Sequence, residues 1–166
     1  MLTFYSYKLI TELIRPFIFF YILRRISKGK EDRSRVAERY GISDIERKDG
    51  KVIWFHAASI GESLSILPLL KKLNSDKSIN QIILTTGTLT SANILKNKLS
   101  KKIIHQYVPF DIPSYVNKFL NHWKPSLAVF VESEIWPNFL IALRERNVCS
   151  LIVNGRMTVK SFKKLS

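Results

Sequence analysis

Short apolar runs alternate with helical stretches along this 166-residue chain from Lys51 onward. The apolar runs are rich in β-branched and aromatic residues and predict five strands, at Val52 to Ala57, Gln81 to Thr85, Ile104 to Val108, Leu127 to Val131 and Cys149 to Val153. Helices are predicted between them, at Glu62 to Leu73, Thr90 to Leu99, after Asp111, and from Pro137 to about Arg146. Five strands alternating with four helices predict an α/β, Rossmann-like domain with a parallel sheet and right-handed crossovers.

Two prolines bear on the helix boundaries. Pro68 lies inside the first predicted helix, and we expect it to kink that helix because proline removes a backbone donor. Pro113 falls in the first turn of the third helix, where proline is well tolerated, and Asp111 is expected to cap that helix.

The first 23 residues form an aromatic and apolar stretch that is interrupted by Lys8, Glu12 and Arg15. Its longest uncharged run, from Pro16 to Leu23, is far shorter than the ~20 residues that span a bilayer. The basic residues Arg24, Arg25, Lys28 and Lys30 follow it rather than precede it, unlike those of a secretory signal. We therefore predict a membrane-associating interfacial helix over 1–26, with a helix packed on its own domain and a true span as the alternatives.

The predicted organisation thus has three parts. Residues 1–26 form the membrane-associating helix, 27–50 form a charged connector that is helical from Asp32 to Tyr40, and 51–166 form the Rossmann-like domain. The single Cys149 excludes an internal disulfide and favours a reducing compartment.

The chain is strongly basic, with 27 Lys and Arg against 13 Asp and Glu and a net charge of +14. This balance favours anionic partners, which include nucleic acid, a phospholipid surface and a phosphorylated substrate. Because the aromatic residues cluster in a hydrophobic run and no nucleic-acid-binding motif is present, we expect no nucleic-acid partner.

Candidate chemistry lies where ligands bind in open parallel sheets, beyond the carboxyl ends of the strands at the switch point of strand order. With the order 3-2-1-4-5, that point lies between strands one and four. Strand one runs into small residues, including Ser59 and Gly61, that favour an anion at a helix start, and then into Glu62. Glu132 follows strand four. A carboxylate at such a crevice can serve as a general base, although Glu62 as an ordinary first-turn residue and Glu132 as a surface acid remain the alternatives.

Other candidates are weaker. Thr86, in a Thr-Thr-Gly-Thr segment, offers a hydroxyl to the same edge, and Arg156 could bring a guanidinium to a phosphate or carboxylate. His56, at a strand end, is more simply a packed histidine. The histidines lack metal-ligand spacing and Gly61 is not part of a GxGxxG fingerprint, so we expect no metal, nicotinamide or flavin, and no other cofactor.

Several segments taken together resemble the amino-terminal domain of bacterial Kdo (3-deoxy-D-manno-octulosonic acid) transferases. They occur in family order across nearly the whole chain, at Gly29 to Asp32, Glu38 to Gly41, Trp54 to Glu62, Thr85 to Thr88, Pro109 to Asp111, Glu132 to Pro137 and Asn154 to Arg156.

This resemblance implies the acceptor-binding half of a two-domain GT-B glycosyltransferase, at the cytoplasmic face of the inner membrane. Such an enzyme transfers Kdo from CMP-Kdo to the lipid A precursor, lipid IVA, in lipopolysaccharide synthesis, with inversion and without a metal. By resemblance, Glu62 is the general base and Glu132 acts in the transition state, with Ser59, Gly61, Thr86 and Arg156 in acceptor or donor binding.

The chain also departs from the family. Family members are more than twice as long, and the second domain, which carries most of their CMP-Kdo site, is absent from this sequence. Gly155 stands where the family usually has alanine. The alternative function is therefore an inactive remnant that only binds lipid A or anionic membrane.

Overall fold

The computed structural model describes residues 2–132 and 136–155, with Leu2 and Thr3 described by their backbone only. Its helices are α1 Leu2–Ser27, α2 Ile60–Ser65, α3 Leu67–Asn74, α4 Leu89–Leu95, α5 Pro113–Trp123 and α6 Pro137–Glu145, with a 3₁₀ segment at Arg33–Tyr40. Its strands are β1 Val52–His56, β2 Gln81–Thr86, β3 Ile103–Tyr107, β4 Leu127–Val131 and β5 Cys149–Val153. All five predicted strands are confirmed to within one residue at each end.

The five strands form one parallel sheet in the order β3-β2-β1-β4-β5. This is the strand order from which the position of the crevice was predicted. β1 and β2 are buried along their whole length, since helices cover both faces of the sheet. Trp54 belongs to the core on the α5 and α6 side, and its neighbour Phe55 belongs to the core on the opposite side. This alternation is the two-sided burial that parallel sheets require.

The first predicted helix is wrong in one respect, because Glu62 to Leu73 is not a single kinked helix. The chain forms α2 and α3, with Ile66 ending the one and beginning the other, and Pro68 lies in the first turn of α3. Proline lacks the N–H that a continuous helix would need, whereas the first turn does not use that donor.

The predicted role of Asp111 as the cap of the helix that follows it is also wrong. Ile112 occupies the cap position of α5 and makes no side-chain cap bond. The Asp111 carboxylate instead accepts the backbone N–H groups of Asn138 (3.2 Å) and Phe139 (3.1 Å), at the start of α6, and the Tyr7 hydroxyl (3.0 Å) from α1. Burial raises the pKa of Asp111, and burial together with the Asp111 charge raises that of Tyr7 to about 12.

The charged connector is helical where predicted, although as a 3₁₀ segment. Asp32 caps its start by accepting the Ser34 N–H at 3.0 Å. Gly41 ends it in the left-handed region at φ 78°, where a Cβ atom would collide with the carbonyl of Tyr115 on α5. Glycine is required there by both backbone conformation and space.

Helix α1 packs on the domain through a narrow, mainly polar stripe. The Thr11 hydroxyl accepts a hydrogen bond from the Asn138 amide (3.0 Å), and the Glu12 carboxylate accepts the Ser114 N–H (3.1 Å). Ile22 is buried against the domain as well, whereas most of the other large apolar side chains of α1 are exposed, among them Leu9, Leu13, Phe17 and Phe20. No helix in the described part of the chain is long and apolar enough to cross a membrane. The predicted helix is present, and its membrane association stays a prediction.

Candidate functional site

The switch point lies between β1 and β4. After β1 the chain adds β2 and β3 on one side of it, and then crosses over to add β4 and β5 on its other side. His56, the last residue of β1, pairs in register with Phe130 of β4. The loop from Ala57 to Ser59 and the turn at Glu132 therefore leave the sheet side by side at its carboxyl edge. An open parallel sheet binds its ligands at such a crevice.

Glu62 lies in the first turn of α2, where its backbone and side chain both form cap bonds. The Ser59 hydroxyl accepts the Glu62 N–H at 3.2 Å, and Glu62 Oε2 accepts the Ala58 N–H at 2.8 Å. This arrangement resembles a capping box, so the structural role considered for Glu62 is real. Oε1 has no hydrogen-bond partner among the described residues. One oxygen thus orients the carboxylate, and the other makes no hydrogen bond within the described part of the chain.

Gly61 is exposed and no neighbour in the described structure requires a glycine there. A Cβ atom at this position would meet only the Ser59 hydroxyl, at 3.9 Å, which is ordinary contact. A small residue next to exposed helix-start amides is the arrangement that lets an anionic ligand approach the backbone.

Glu132 is a half-buried residue with an unusual backbone conformation. Its φ is 60°, in the left-handed region, and its N–H donates to the Val153 carbonyl at 2.7 Å. A non-glycine residue there costs roughly 1–2 kcal/mol. Strain of this kind is concentrated at functional sites, so the conformation makes Glu132 a candidate site residue independently of its charge.

A cavity of about 150 Å³ adjoins these loops and is lined by residues of α1, the connector and the ends of β1, β2 and β3. An ion-pair network forms one wall. Glu31 Oε1 accepts from Arg25 Nε at 2.7 Å, and Glu31 also binds Arg39 through two bonds of 3.1 Å. Glu31 and Arg39 are both buried, and two guanidinium groups around one carboxylate leave a net positive charge beside the crevice.

Arg39 also fixes two of the loops at this edge. Its guanidinium donates to the Gly87 carbonyl at 2.7 Å and to the Val108 carbonyl at 3.1 Å, which follow β2 and β3. The sequence interpretation missed this role, since the charges of the connector gave no sign of burial. The only available signal was that Glu31 and Arg39 both fall in segments that carry the family resemblance.

His56 is a packed histidine, as its strand-end position favoured. It is buried, its Nδ1 lies 3.0 Å from the Thr85 hydroxyl, and its ring contacts that of Trp136 with centroids 5.9 Å apart. Trp136 immediately precedes α6, so this contact joins the end of β1 to the segment after β4.

Thr86 is buried and its hydroxyl lies 2.9 Å from His105 Nε2, so its side chain is engaged within the domain. His105 Nδ1 accepts from the Arg35 guanidinium at 3.0 Å, which leaves Nε2–H to donate to Thr86. Burial, with the charges of Arg35 and Arg39, lowers the pKa of His105 to about 3. The part of Thr86 in ligand binding stays a prediction, as do those of Ser59 and Gly61.

Arg156 lies outside the described residues, as do Ser133 to Ile135 in the segment from Glu132 to Pro137. Within residues 2–132 and 136–155, no group of three or more His, Cys, Asp or Glu side chains could hold a metal ion.

Comparison with known proteins agrees with the resemblance carried by the sequence segments. A family model described as "3-Deoxy-D-manno-octulosonic-acid transferase (kdotransferase)" matches residues 34–166. A 3-deoxy-D-manno-octulosonic acid transferase of Rickettsia bellii is 39% identical over 95% of this chain, and one of Haemophilus influenzae is 33% identical over 95%. A probable mitochondrial 3-deoxy-D-manno-octulosonic acid transferase of Arabidopsis thaliana is 37% identical over 96%. The chain spans little more than a third of the length of these relatives, at 36–37%.

Proposed function

This chain belongs to the 3-deoxy-D-manno-octulosonic acid (Kdo) transferase family, and we propose that it is the acceptor-binding part of an enzyme that transfers Kdo from CMP-Kdo to lipid IVA. One observation carries the proposal: Glu62, at the switch point of the sheet, has one carboxylate oxygen held by a backbone N–H and the other unpaired among the described residues. An oriented carboxylate with a free oxygen is what proton abstraction from a sugar hydroxyl needs.

In the proposed reaction, Glu62 accepts the proton of the acceptor hydroxyl as that oxygen attacks the anomeric carbon of Kdo. The bond between this carbon and the phosphate oxygen breaks, and CMP leaves with the electron pair. Attack on the face opposite the leaving group inverts the configuration. Glu132, with its carboxylate near the anomeric carbon, would stabilise the positive charge that develops there.

The binding roles follow the same geometry. We assign the exposed start of α2, at Ser59 and Gly61, to an anionic group of the donor or acceptor, because helix-start amides favour negative charge. We assign Arg156 to a phosphate or carboxylate, and Thr86 to a supporting position beneath the crevice. Most of the CMP-Kdo site would lie in the part of the relatives that this chain does not span.

A chimaera tests the proposal. This chain would replace the matching amino-terminal segment of the Rickettsia bellii relative, and transfer of labelled Kdo from CMP-Kdo to lipid IVA would be measured. We expect transfer by the chimaera, and none by this chain alone or by the remaining part of the relative alone.

The alternative function predicts a different outcome in the same assay. A chimaera that folds, as judged by a cooperative thermal transition, and binds lipid IVA but transfers no Kdo would overturn the proposal. It would favour a chain that only binds lipid A or anionic membrane.

We also propose that α1 lies on the cytoplasmic face of the inner membrane. Its polar stripe is used in contacts with its own domain, which leaves the apolar face as the outer surface. Of the basic residues that follow this face, Arg25 is tied to Glu31, whereas Arg24, Lys28 and Lys30 are exposed and available to lipid phosphates.

Two charges on the outer face of α1 should abolish membrane binding. Leu13 and Phe17 are 64% and 67% exposed, so Leu13→Glu/Phe17→Glu removes apolar contact with lipid without disturbing a packed side chain. Losing the burial of two such residues should weaken binding to phosphatidylglycerol-containing liposomes by at least about 100-fold in a sedimentation assay.

The matched control is Leu64→Glu/Leu69→Glu, which changes two exposed leucines on α2 and α3. It should sediment with the liposomes like the unmodified chain. Equal binding by the α1 variant would show that α1 merely packs on its own domain.

A further inference from the structure

A second cavity, outside the crevice, is a groove between α1 and α6. Phe4 and Tyr5 of α1 form one wall and Leu140 and Ile141 of α6 form the other, enclosing about 610 Å³ with a mainly apolar lining. This volume lies within the ~300–1,000 Å³ typical of small-molecule sites. We refer to this space as the α1–α6 groove.

The walls of the α1–α6 groove are fixed relative to each other by one carboxylate. Asp111 Oδ2 accepts both the Tyr7 hydroxyl of α1 and the Asn138 N–H of α6, and Asn138 also donates to Thr11 of α1. The groove is therefore preformed, which reduces the entropy lost when a flexible ligand binds.

The rim of the groove is cationic. Lys8 and Arg144 lie on it with Glu145, whose carboxylate is 3.9 Å from the Lys8 ammonium. Arg144 is exposed and forms no salt bridge among the described residues. A net positive rim above an apolar lining matches a ligand with a hydrocarbon chain and an anionic head.

The position of the groove links it to both surfaces of the proposed function. Its outer wall, with Phe4 57% and Tyr5 69% exposed, continues into the apolar face of α1. At its other end, Pro137 follows directly after Trp136, whose ring packs on His56 at the crevice. A ligand could thus extend from the crevice along α6.

We propose that the α1–α6 groove binds one acyl chain of the anionic glycolipid acceptor. The acyl chain lies between α1 and α6, and the anionic group of the lipid faces Lys8 and Arg144. The acceptor sugar is held toward Glu62. This assignment rests on the proposed function for the identity of the lipid, whereas the binding of a hydrocarbon chain with an anionic head does not depend on it.

The first test uses the full chain, without membranes, and 11-(dansylamino)undecanoic acid as a fluorescent probe. We expect saturable binding of one probe per chain. Ile141→Trp fills the groove and should weaken binding at least about tenfold, because the apolar contact area is lost. Leu69→Trp, on exposed α3, is the matched control and should bind like the unmodified chain, as should the α1 variant Leu13→Glu/Phe17→Glu.

Displacement of the probe by other ligands identifies the preferred head group and the lipid that supplies the acyl chain. Arg144→Glu should weaken displacement of the probe by dodecanoate but not by dodecanol, and lipid IVA should displace the probe at lower concentration than phosphatidylglycerol. Unchanged probe affinity in Ile141→Trp, or stronger displacement by phosphatidylglycerol, would overturn the assignment. A chimaera inactive in transfer whose groove still prefers lipid IVA would instead contradict the enzymatic function alone.

Discussion

Acidification is expected to destabilise this protein through His105, by up to about 1.4 kcal/mol for each pH unit between pH 6.5 and pH 3. The folded domain holds this imidazole neutral, with a pKa near 3 against an ordinary value of 6.5, because it is buried and faces Arg35 and Arg39. Between those two values the unfolded chain binds a proton that the folded chain does not. Falling pH therefore favours unfolding across this window, and the stability is regained as the pH rises through it.

The hydrogen bonds explain why the proton is excluded. Nδ1 accepts from the Arg35 guanidinium at 3.0 Å, so a proton there would replace an acceptor with a donor and add a charge beside a cation. Glutamine can offer an acceptor to Arg35 and a donor to Thr86 without titrating. His105→Gln should therefore keep the contacts and lose this pH dependence.

Urea unfolding measured from pH 7.5 to pH 4.5 checks the prediction. The stability difference between the unmodified chain and His105→Gln should change by about 2 kcal/mol between pH 6.5 and 4.5, because the unfolded imidazole is already half protonated at pH 6.5. His122→Gln, at a histidine nearer the surface, controls for the removal of an imidazole as such. Parallel curves for the unmodified chain and His105→Gln would refute the role of His105.

The sheet could be predicted from the sequence because parallel strands buried on both faces leave a strong local signal. β1 is apolar from Val52 to Phe55, and helical stretches separate it from the next strands. The position of the crevice could be predicted from the strand order, because this order determines which strand ends, with their small residues and carboxylates, are neighbours. These features depend on short segments and general rules of sheet topology.

The sequence predictions were wrong or incomplete where contacts between distant parts of the chain determine the role of a side chain. Asp111 has the sequence position of a cap for α5, but the fold brings its carboxylate to the start of α6, 27 residues away. Arg39 stands in a polar connector, yet its guanidinium binds carbonyls after β2 and β3. Local pattern carries no information on such pairings. The break at Ile66 is different, since the proline signal was present and its effect was underestimated.

The polar stripe of α1 could not be read from periodicity either. Tyr7, Thr11 and Glu12 face the domain, and most of the apolar side chains face outward although Ile22 is buried. This is largely the reverse of a helix on a soluble domain. A pattern of apolar and polar positions identifies two faces and does not say which of them the domain covers. The inverted arrangement nevertheless agrees with the proposed membrane surface.

Replacing Glu62 with glutamine is expected to lower Kdo transfer by the chimaera by about 10²- to 10⁴-fold, the usual contribution of a general base. The change removes basicity and little else, because the glutamine oxygen can still accept the Ala58 N–H that Glu62 Oε2 accepts at 2.8 Å. The cap formed by Ser59 is untouched, so the free energy of unfolding should change by less than about 1 kcal/mol. The loss should therefore appear in kcat, with the KM for lipid IVA nearly unchanged.

Asp76→Asn is the matched control, since Asp76 also accepts one backbone N–H, that of Ser78 at 2.8 Å, but lies in an exposed turn before β2. It makes the same acid-to-amide change outside the crevice and should transfer Kdo at the rate of the unmodified chimaera. If Glu62→Gln did so as well, the carboxylate would serve only as the cap of α2. A large loss in Glu62→Gln alone, with both variants equally stable, would assign the base to the unpaired oxygen of Glu62, since only that group differs in chemistry and in place.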